Sequence, residues 1–210
     1  MEVENMFFTK AKKVVTGAAV VALAFGWSGT AFAATTDTTT TQVGIQAGGL
    51  SLDYTGSTTV DFGTVTLNGT TQTVTAGISK LTVGDATGTG SGWHVTASAS
   101  QFTEVGGAGL KIPKGSLKLA APSTIAATGG TTSPAPTIKT GAPWSIDDGA
   151  SYMVLSAAVG QGMGNYDVTF PAVALTLTID PSLVKADTVN YPATPTPYGS
   201  TVTWSIVSGP

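Results

Sequence analysis

Apolar residues in this chain recur at every second position in short runs, and each run is closed by glycine, asparagine or proline. Leu50, Leu52 and Tyr54 alternate with small or polar neighbours, as do Val60 with Phe62 and Val65 with Leu67. The same alternation returns in Leu81 and Val83, in Trp93, Val95, Ala97 and Ala99, and in Leu117 and Leu119. It closes the chain in Val173, Leu175, Leu177 and Ile179 and in Val202, Trp204 and Ile206. A period of two gathers side chains on one face of an extended strand, whereas a helix needs repeats at three and four. Nothing longer than a turn or two carries the helical period. Many short strands with turn signals between them predict an all-β fold, an antiparallel β-sandwich, Ig-like or related, with long Thr/Gly/Pro-rich loops.

The punctuation sharpens this reading. Asn68-Gly69 lies between Leu67 and the run to Val74, and both residues tolerate positive φ, so a two-residue hairpin is expected there. Pro122 to Pro143 is rich in Thr, Ser, Gly and Pro and reads as a long loop or insertion. Pro192 to Pro197 reads as a second irregular connector with polyproline character.

Composition excludes several classes of function. The chain has 210 residues, no cysteine, one histidine, nine lysines with no arginine, and only 10% charged residues. Disulfides, thiol nucleophiles and zinc knuckles are impossible, and a single imidazole builds no multi-histidine metal site. The absence of a basic surface argues against nucleic acid as a partner. There is no serine nucleophile elbow, so no catalytic residues are expected, and neither a resident metal nor another cofactor is implied.

The first 33 residues follow a different rule. Lys10, Lys12 and Lys13 precede the apolar run from Val14 to Trp27, and Ala31-Phe32-Ala33 offers small residues for cleavage. This is the form of a secretory signal, cut after Ala33, with Met6 as an alternative start that leaves a conventional basic leader. The apolar run is broken by Thr16, Gly17 and Gly26 and falls short of the roughly 20 residues that span a bilayer. No membrane span is expected in the mature chain, which carries six lysines against ten carboxylates, a net charge of −4. The expected organisation is a signal peptide over 1–33, a Thr-rich flexible segment over 34–44 and one β-sandwich domain over 45–210. About 70% of the unfolded surface of a chain this size is buried on folding, enough for one core without cross-links.

Two tryptophans occupy matching contexts. Trp93-His94-Val95 lies near the middle of the chain and Trp204-Ser205-Ile206 near its end. The distal segment reads YGSTVTWSI from Tyr198 to Ile206, and LSAAVGQGMGNYDVTF runs from Leu155 to Phe170 ahead of the alternating VALTLTID. In these features the chain resembles the WxL-domain proteins, non-covalently attached surface proteins of Gram-positive bacteria. The resemblance covers roughly Ile45 to Pro210. Val95 and Ile206 replace the two signature leucines and Val202 replaces the leucine before Thr203-Trp204, so each position keeps an aliphatic side chain. The resemblance implies a secreted protein at the cell wall, bound to peptidoglycan through Trp93, Val95, Tyr198, Trp204 and Ile206.

The residues themselves leave alternatives open. Trp and Tyr lose little rotamer entropy and stack on sugar faces, which makes Trp93, Trp144, Tyr198 and Trp204 candidates for glycan contact. A tryptophan also buries about 200 Å2, enough to explain both signature tryptophans as core. His94 alternates away from Trp93 and is expected on the surface. Asp147-Asp148-Gly149 suggests weak calcium binding at most, because the spaced acidic loop of a strong site is missing. Asn68-Gly69-Thr70 matches a glycosylation sequon, for which the turn is the better explanation. The rival functions are a structural subunit of a surface assembly or filament, or an adhesin component binding another surface protein or itself. In the first of these, Gln42 to Tyr54 adds as a strand to a neighbour's sheet edge. Net negative charge argues against electrostatic capture by anionic wall polymers, so binding is expected to survive high salt.

Overall fold

Strands form in this chain where an alternating run finds a partner far away in sequence. The computed structural model describes residues 42–210. In chain order its strands are β1 (Leu50–Thr55), β2 (Gln72–Ala76), β3 (Lys80–Asp85), β4 (Trp93–Ala99), β5 (Thr103–Glu104), β6 (Leu117–Leu119) and β7 (Thr124–Thr128). They continue as β8 (Thr137–Ile138), β9 (Trp144–Ser145), β10 (Tyr152–Ala157), β11 (Gly164–Thr169), β12 (Leu175–Ile179), β13 (Tyr198–Gly199) and β14 (Val202–Ser208). Among the described residues there is no helix, and so none long and apolar enough to cross a membrane.

The strands form three four-stranded sheets, ordered β1-β3-β11-β7, β14-β4-β10-β8 and β2-β12-β6-β9, and a small sheet of β13 with β5. Every pairing within them is antiparallel. The fold is therefore all-β, consistent with the expected sandwich. Its sheets enclose one hydrophobic core, in which Leu81, Val83 and Val168 meet Trp93, Val95, Ala97 and Leu155 and also Leu117, Leu119, Leu175 and Leu177. Residues Gly44–Pro210 form one compact unit. Each fully buried aliphatic side chain contributes about 1.5–3 kcal/mol, which is how a chain without cross-links holds this arrangement.

Several sequence expectations are corrected. Asn68-Gly69 does not close a hairpin: the Asn68 Oδ1 accepts the Thr70 N–H at 3.0 Å and the Thr70 hydroxyl at 2.8 Å. This local turn competes with a ladder, and β2 instead finds β12, with Val74 opposite Leu177. Val60, Phe62 and Val65 alternate as read and pack against the core, but they belong to no strand. Phe62 meets Phe102 edge-on at 6.1 Å between ring centroids. Pro122 to Pro143 is not simply a loop, since β7 and β8 both lie within it. β7 covers the edge of β11 with Ile125 opposite Val168, an inward aliphatic pair that Thr- and Pro-rich flanks conceal.

The segment Gln42 to Tyr54 does not wait for a neighbour. Leu50, Leu52 and Tyr54 pair with Asp85, Val83 and Leu81 of the same chain, and Gly48 and Gly49 extend the pairing to Ala86. The expected signal peptide and residues 34–41 of the Thr-rich segment lie outside the described residues.

Candidate functional site

The two tryptophan triplets lie side by side. β14 runs antiparallel to β4 with Ile206 opposite Val95, Trp204 opposite Ala97 and Ser208 opposite Trp93. Residues opposite one another share a sheet face, so Trp93, Val95, Trp204 and Ile206 all turn toward the core. Their burial differs because β4 is a central strand and β14 an edge strand. Trp93 and Val95 are completely buried, and Trp204 and Ile206 are partly exposed. Trp204 leans on Phe170, with ring centroids 5.5 Å apart and planes at 55°.

Trp93 holds one end of this pair. Its indole Nε1–H donates to the Gly162 carbonyl at 3.0 Å, which satisfies the one polar group of an otherwise apolar burial. Gly162 has a φ of 70°, and a Cβ there would stand 2.8 Å from that nitrogen and 2.4 Å from the Ala157 Cβ. Only glycine permits this approach. The Gly162 N–H donates to Pro134 O at 2.9 Å, and the Tyr166 hydroxyl donates to Ser133 O at 2.8 Å. The sequence LSAAVGQGMGNYDVTF is thus the end of β10, the turn that receives the indole, and β11.

Tyr198 stands at the other end of the motif but in a different sheet. It lies opposite Glu104 in the β13–β5 pair, partly buried, and its hydroxyl donates to Lys185 O at 2.6 Å. Burial, followed by the negative charges of Glu104 and Asp187, raises the pKa of its phenol. Between Tyr198 and β14 the chain is clamped to Ser100: the Ser100 N–H donates to Thr201 O at 3.0 Å and the Thr201 N–H to the Ser100 hydroxyl at 2.9 Å.

The remaining candidates are also placed. Trp144 is buried on β9 opposite Leu119, so it offers no stacking surface. His94 does face away from Trp93, but it is only partly exposed, because Gly209 folds back and its carbonyl lies 2.7 Å from the His94 Nδ1. Asp147 is buried and accepts the Gly115 N–H at 2.9 Å, and burial raises its pKa against the pull of surrounding N–H groups. Asp148 accepts the Tyr152 hydroxyl and the Ala150 N–H, which lower its pKa. These two carboxylates close a turn for the protein itself. Among the described residues no three acidic or histidine side chains gather as metal ligands.

Behind the tryptophans lies a surface that the reading of the triplets passed over. The outward residues of β14 and β4 pair as Thr203 with Ser98 and Ser205 with Thr96, and Met153 of β10 continues the second row. Thr203 and Ser205 are exposed, and Thr96, Ser98 and Met153 are partly so. The sheet thus presents four hydroxyls together on its outward face. The same period of two that points the triplets inward points these residues outward.

A family model describing a WxL domain, surface cell wall-binding, matches residues 31–210. The chain belongs to the WxL domain family. No curated protein and no solved structure matches it in the corresponding comparisons. The WxL domain is a cell wall-binding module of the cell surface, and this chain carries its two tryptophan triplets, with Val95 and Ile206 in the leucine positions, on adjacent, registered strands.

Proposed function

We propose that this WxL domain is a secreted, non-catalytic anchor that holds non-covalently to peptidoglycan through the outward face of β4 and β14. The observation that carries the reading is the register of the two triplets: packing Trp93, Val95, Trp204 and Ile206 inward displays Ser98, Thr96, Thr203 and Ser205 in two paired rows. Glycan strands present hydroxyls, amides and apolar ring faces, and a patch of hydroxyls beside Met153 offers partners to each. Each hydrogen bond contributes only about 0.5–1.5 kcal/mol, so a single subsite binds weakly. A polymeric wall repeats that subsite along every strand, and effective concentration raises the retention of the whole molecule.

In this reading Trp93 and Val95 serve from beneath the face, by fixing β4. Trp204 and Ile206 keep some exposed surface and border the ligand at the β14 edge, and Tyr198, partly exposed in the β13–β5 pair, is a further contact. The domain responsible spans 45–210, with the Thr-rich segment as a spacer.

The test is co-sedimentation of the protein with purified peptidoglycan sacculi. Replacing Thr203 and Ser205 together by glutamate alters exposed positions that usually cost less than about 0.5 kcal/mol each. The expected outcome is a variant with wild-type circular dichroism and binding weakened about tenfold, the equivalent of roughly 1.4 kcal/mol. Unchanged binding would move the contact to another surface, and failure of the wild-type protein to sediment would end the peptidoglycan reading.

A further inference from the structure

The described residues include three asparagines, and they differ in what lies next to the side-chain amide. Asn68, Gly69 and Thr70 are all exposed, in the turn between Leu67 and β2. Gly69 has no side chain to shield its nitrogen, and among the described residues its N–H donates to no acceptor. Asn165 precedes Tyr166, which is fully buried. Asn190 precedes Tyr191, whose N–H is committed to the Asp187 carbonyl at 3.1 Å, and its own amide is held by the Asp187 carboxylate. Only at Asn68 does an accessible amide adjoin a free and unhindered backbone nitrogen.

The turn also polarises that amide. The Asn68 Oδ1 accepts both the Thr70 N–H at 3.0 Å and the Thr70 hydroxyl at 2.8 Å, whereas its Nδ2 donates to nothing among the described residues. Both donors stand within the roughly 2.7–3.1 Å at which an oxyanion is stabilised. The oxygen they hold is the one that gains negative charge when a nucleophile adds to Cγ, and the nitrogen free to leave is the one nothing holds. The same two bonds fold the side chain back along the main chain as an Asx turn, so closing a ring through the next nitrogen starts from a chain already bent.

We infer that Asn68-Gly69 is a site of self-modification, at which the side-chain amide becomes a carboxylate through a cyclic imide, with Thr70 assisting. The Gly69 nitrogen gives its proton to solvent base and bonds to the Asn68 Cγ. The Cγ–Nδ2 bond breaks, and Nδ2 takes up a proton and leaves as ammonia. Water then adds to one of the two imide carbonyls, the corresponding C–N bond breaks, and the Gly69 nitrogen regains a proton. Opening at Cγ gives aspartate. Opening at the main-chain carbonyl gives isoaspartate, in which the backbone runs through the former side chain. The net reaction consumes one water and releases one ammonia. Either product places a negative charge in the segment Leu67 to Thr71, which carries none, and isoaspartate lengthens the backbone by one carbon just ahead of β2. The site does not depend on the peptidoglycan reading, because its readout is covalent.

The experiment is prolonged incubation of the purified protein at mildly acidic and mildly alkaline pH, followed by peptide mass mapping, an ammonia assay and labelling with an isoaspartyl methyltransferase. The expected result is an amide-to-acid mass gain at Asn68, with Asn165 and Asn190 unchanged, ammonia released in equal amount and isoaspartate among the products. The gain is faster at alkaline pH, because the Gly69 nitrogen must lose its proton. Thr70→Val keeps the N–H but removes the hydroxyl, and is expected to slow the reaction about tenfold, less than the roughly 100-fold that one donor is worth in a closed oxyanion hole. Thr70→Ser restores the hydroxyl and should return the wild-type rate. Gly69→Ala sets a methyl group beside the attacking nitrogen, where a Cβ meets nothing within 4 Å, and is expected to slow the reaction further. Wild-type protein without a mass gain at either pH overturns the site, as does a gain that appears first at Asn165 or Asn190. An unchanged rate in Thr70→Val overturns the part assigned to the turn.

Discussion

At the scale of single residues, the most informative side chain is Trp93, because its place in the motif and its place in the structure pull in different directions. As the tryptophan of a signature triplet it invites a role in contact, yet it is fully buried and its only polar side-chain atom is spent on Gly162. Trp93→Ala removes a large core side chain, at a cost of about 3–5 kcal/mol. Trp93→Phe keeps a ring but leaves the Gly162 carbonyl unpaired, at a cost of about 1–3 kcal/mol. Urea denaturation is expected to rank wild type above Phe above Ala, with a folded Trp93→Phe protein still sedimenting with sacculi. Full stability combined with lost sedimentation in that variant would instead make the indole a ligand group. The sequence could pair the two triplets by similarity and put each on a strand. It could not say which strand was central, and that placement separates a buried Trp93 from a partly exposed Trp204. Nor could it bring Glu104 and Asp187 together, since nothing local to either residue signals the other.

At the scale of elements, the legible strands were those whose inward positions are large aliphatics or tryptophan, such as β3, β4, β6, β12 and β14. Those missed or misread had weak inward signals. β7 contributes mainly Ile125 to the core, and β8 and β9 are two residues long. The Val60-Phe62-Val65 segment shows the converse: its side chains pack inward while its backbone finds no ladder, which hydrophobic period alone cannot distinguish. The edge strand β1 allows a direct test of the domain boundary. Gly48 and Gly49 still hydrogen-bond to Ala86, whereas residues 42–47 are exposed and outside any strand. A protein trimmed to begin at residue 45 is therefore expected to unfold cooperatively within about 2 °C of the longer chain, a shift of under about 1 kcal/mol. Trimming through Thr55 uncovers the full edge of β3 and should produce aggregation, visible in size-exclusion chromatography. A boundary further upstream would show itself as a large loss of Tm in the first truncation.

At the scale of the whole molecule, stability against pH is set by a few carboxylates whose environments differ in sign. Asp148, Asp167, Asp180 and Asp187 all have pKa values lowered from the ordinary 3.8. The leading causes are hydrogen bonds from Tyr152, Lys80, Ser182 and Asn190 respectively. A lowered pKa means that the folded state favours the ionised form. The stability it supplies is present above pH 3.8 and is lost as pH falls through the folded values. Asp147 works the other way: burial raises its pKa, so its contribution is greatest below 3.8 and is lost as pH rises through the raised value. Calorimetry across pH should therefore show Tm falling steeply on acidification below 3.8, where four groups act together, and a shallower decline on the neutral side from Asp147 alone. Asp147→Asn keeps an acceptor for the Gly115 N–H and removes the ionisation, so this variant is expected to lose the neutral-side decline and keep the acid limb. Asp167→Asn removes the partner that Lys80 reaches at 2.6 Å and should shift the acid limb without touching the neutral one. A Tm indifferent to acid below 3.8 would mean that these hydrogen bonds do not survive in solution. A neutral-side decline that persists in Asp147→Asn would assign it to another group.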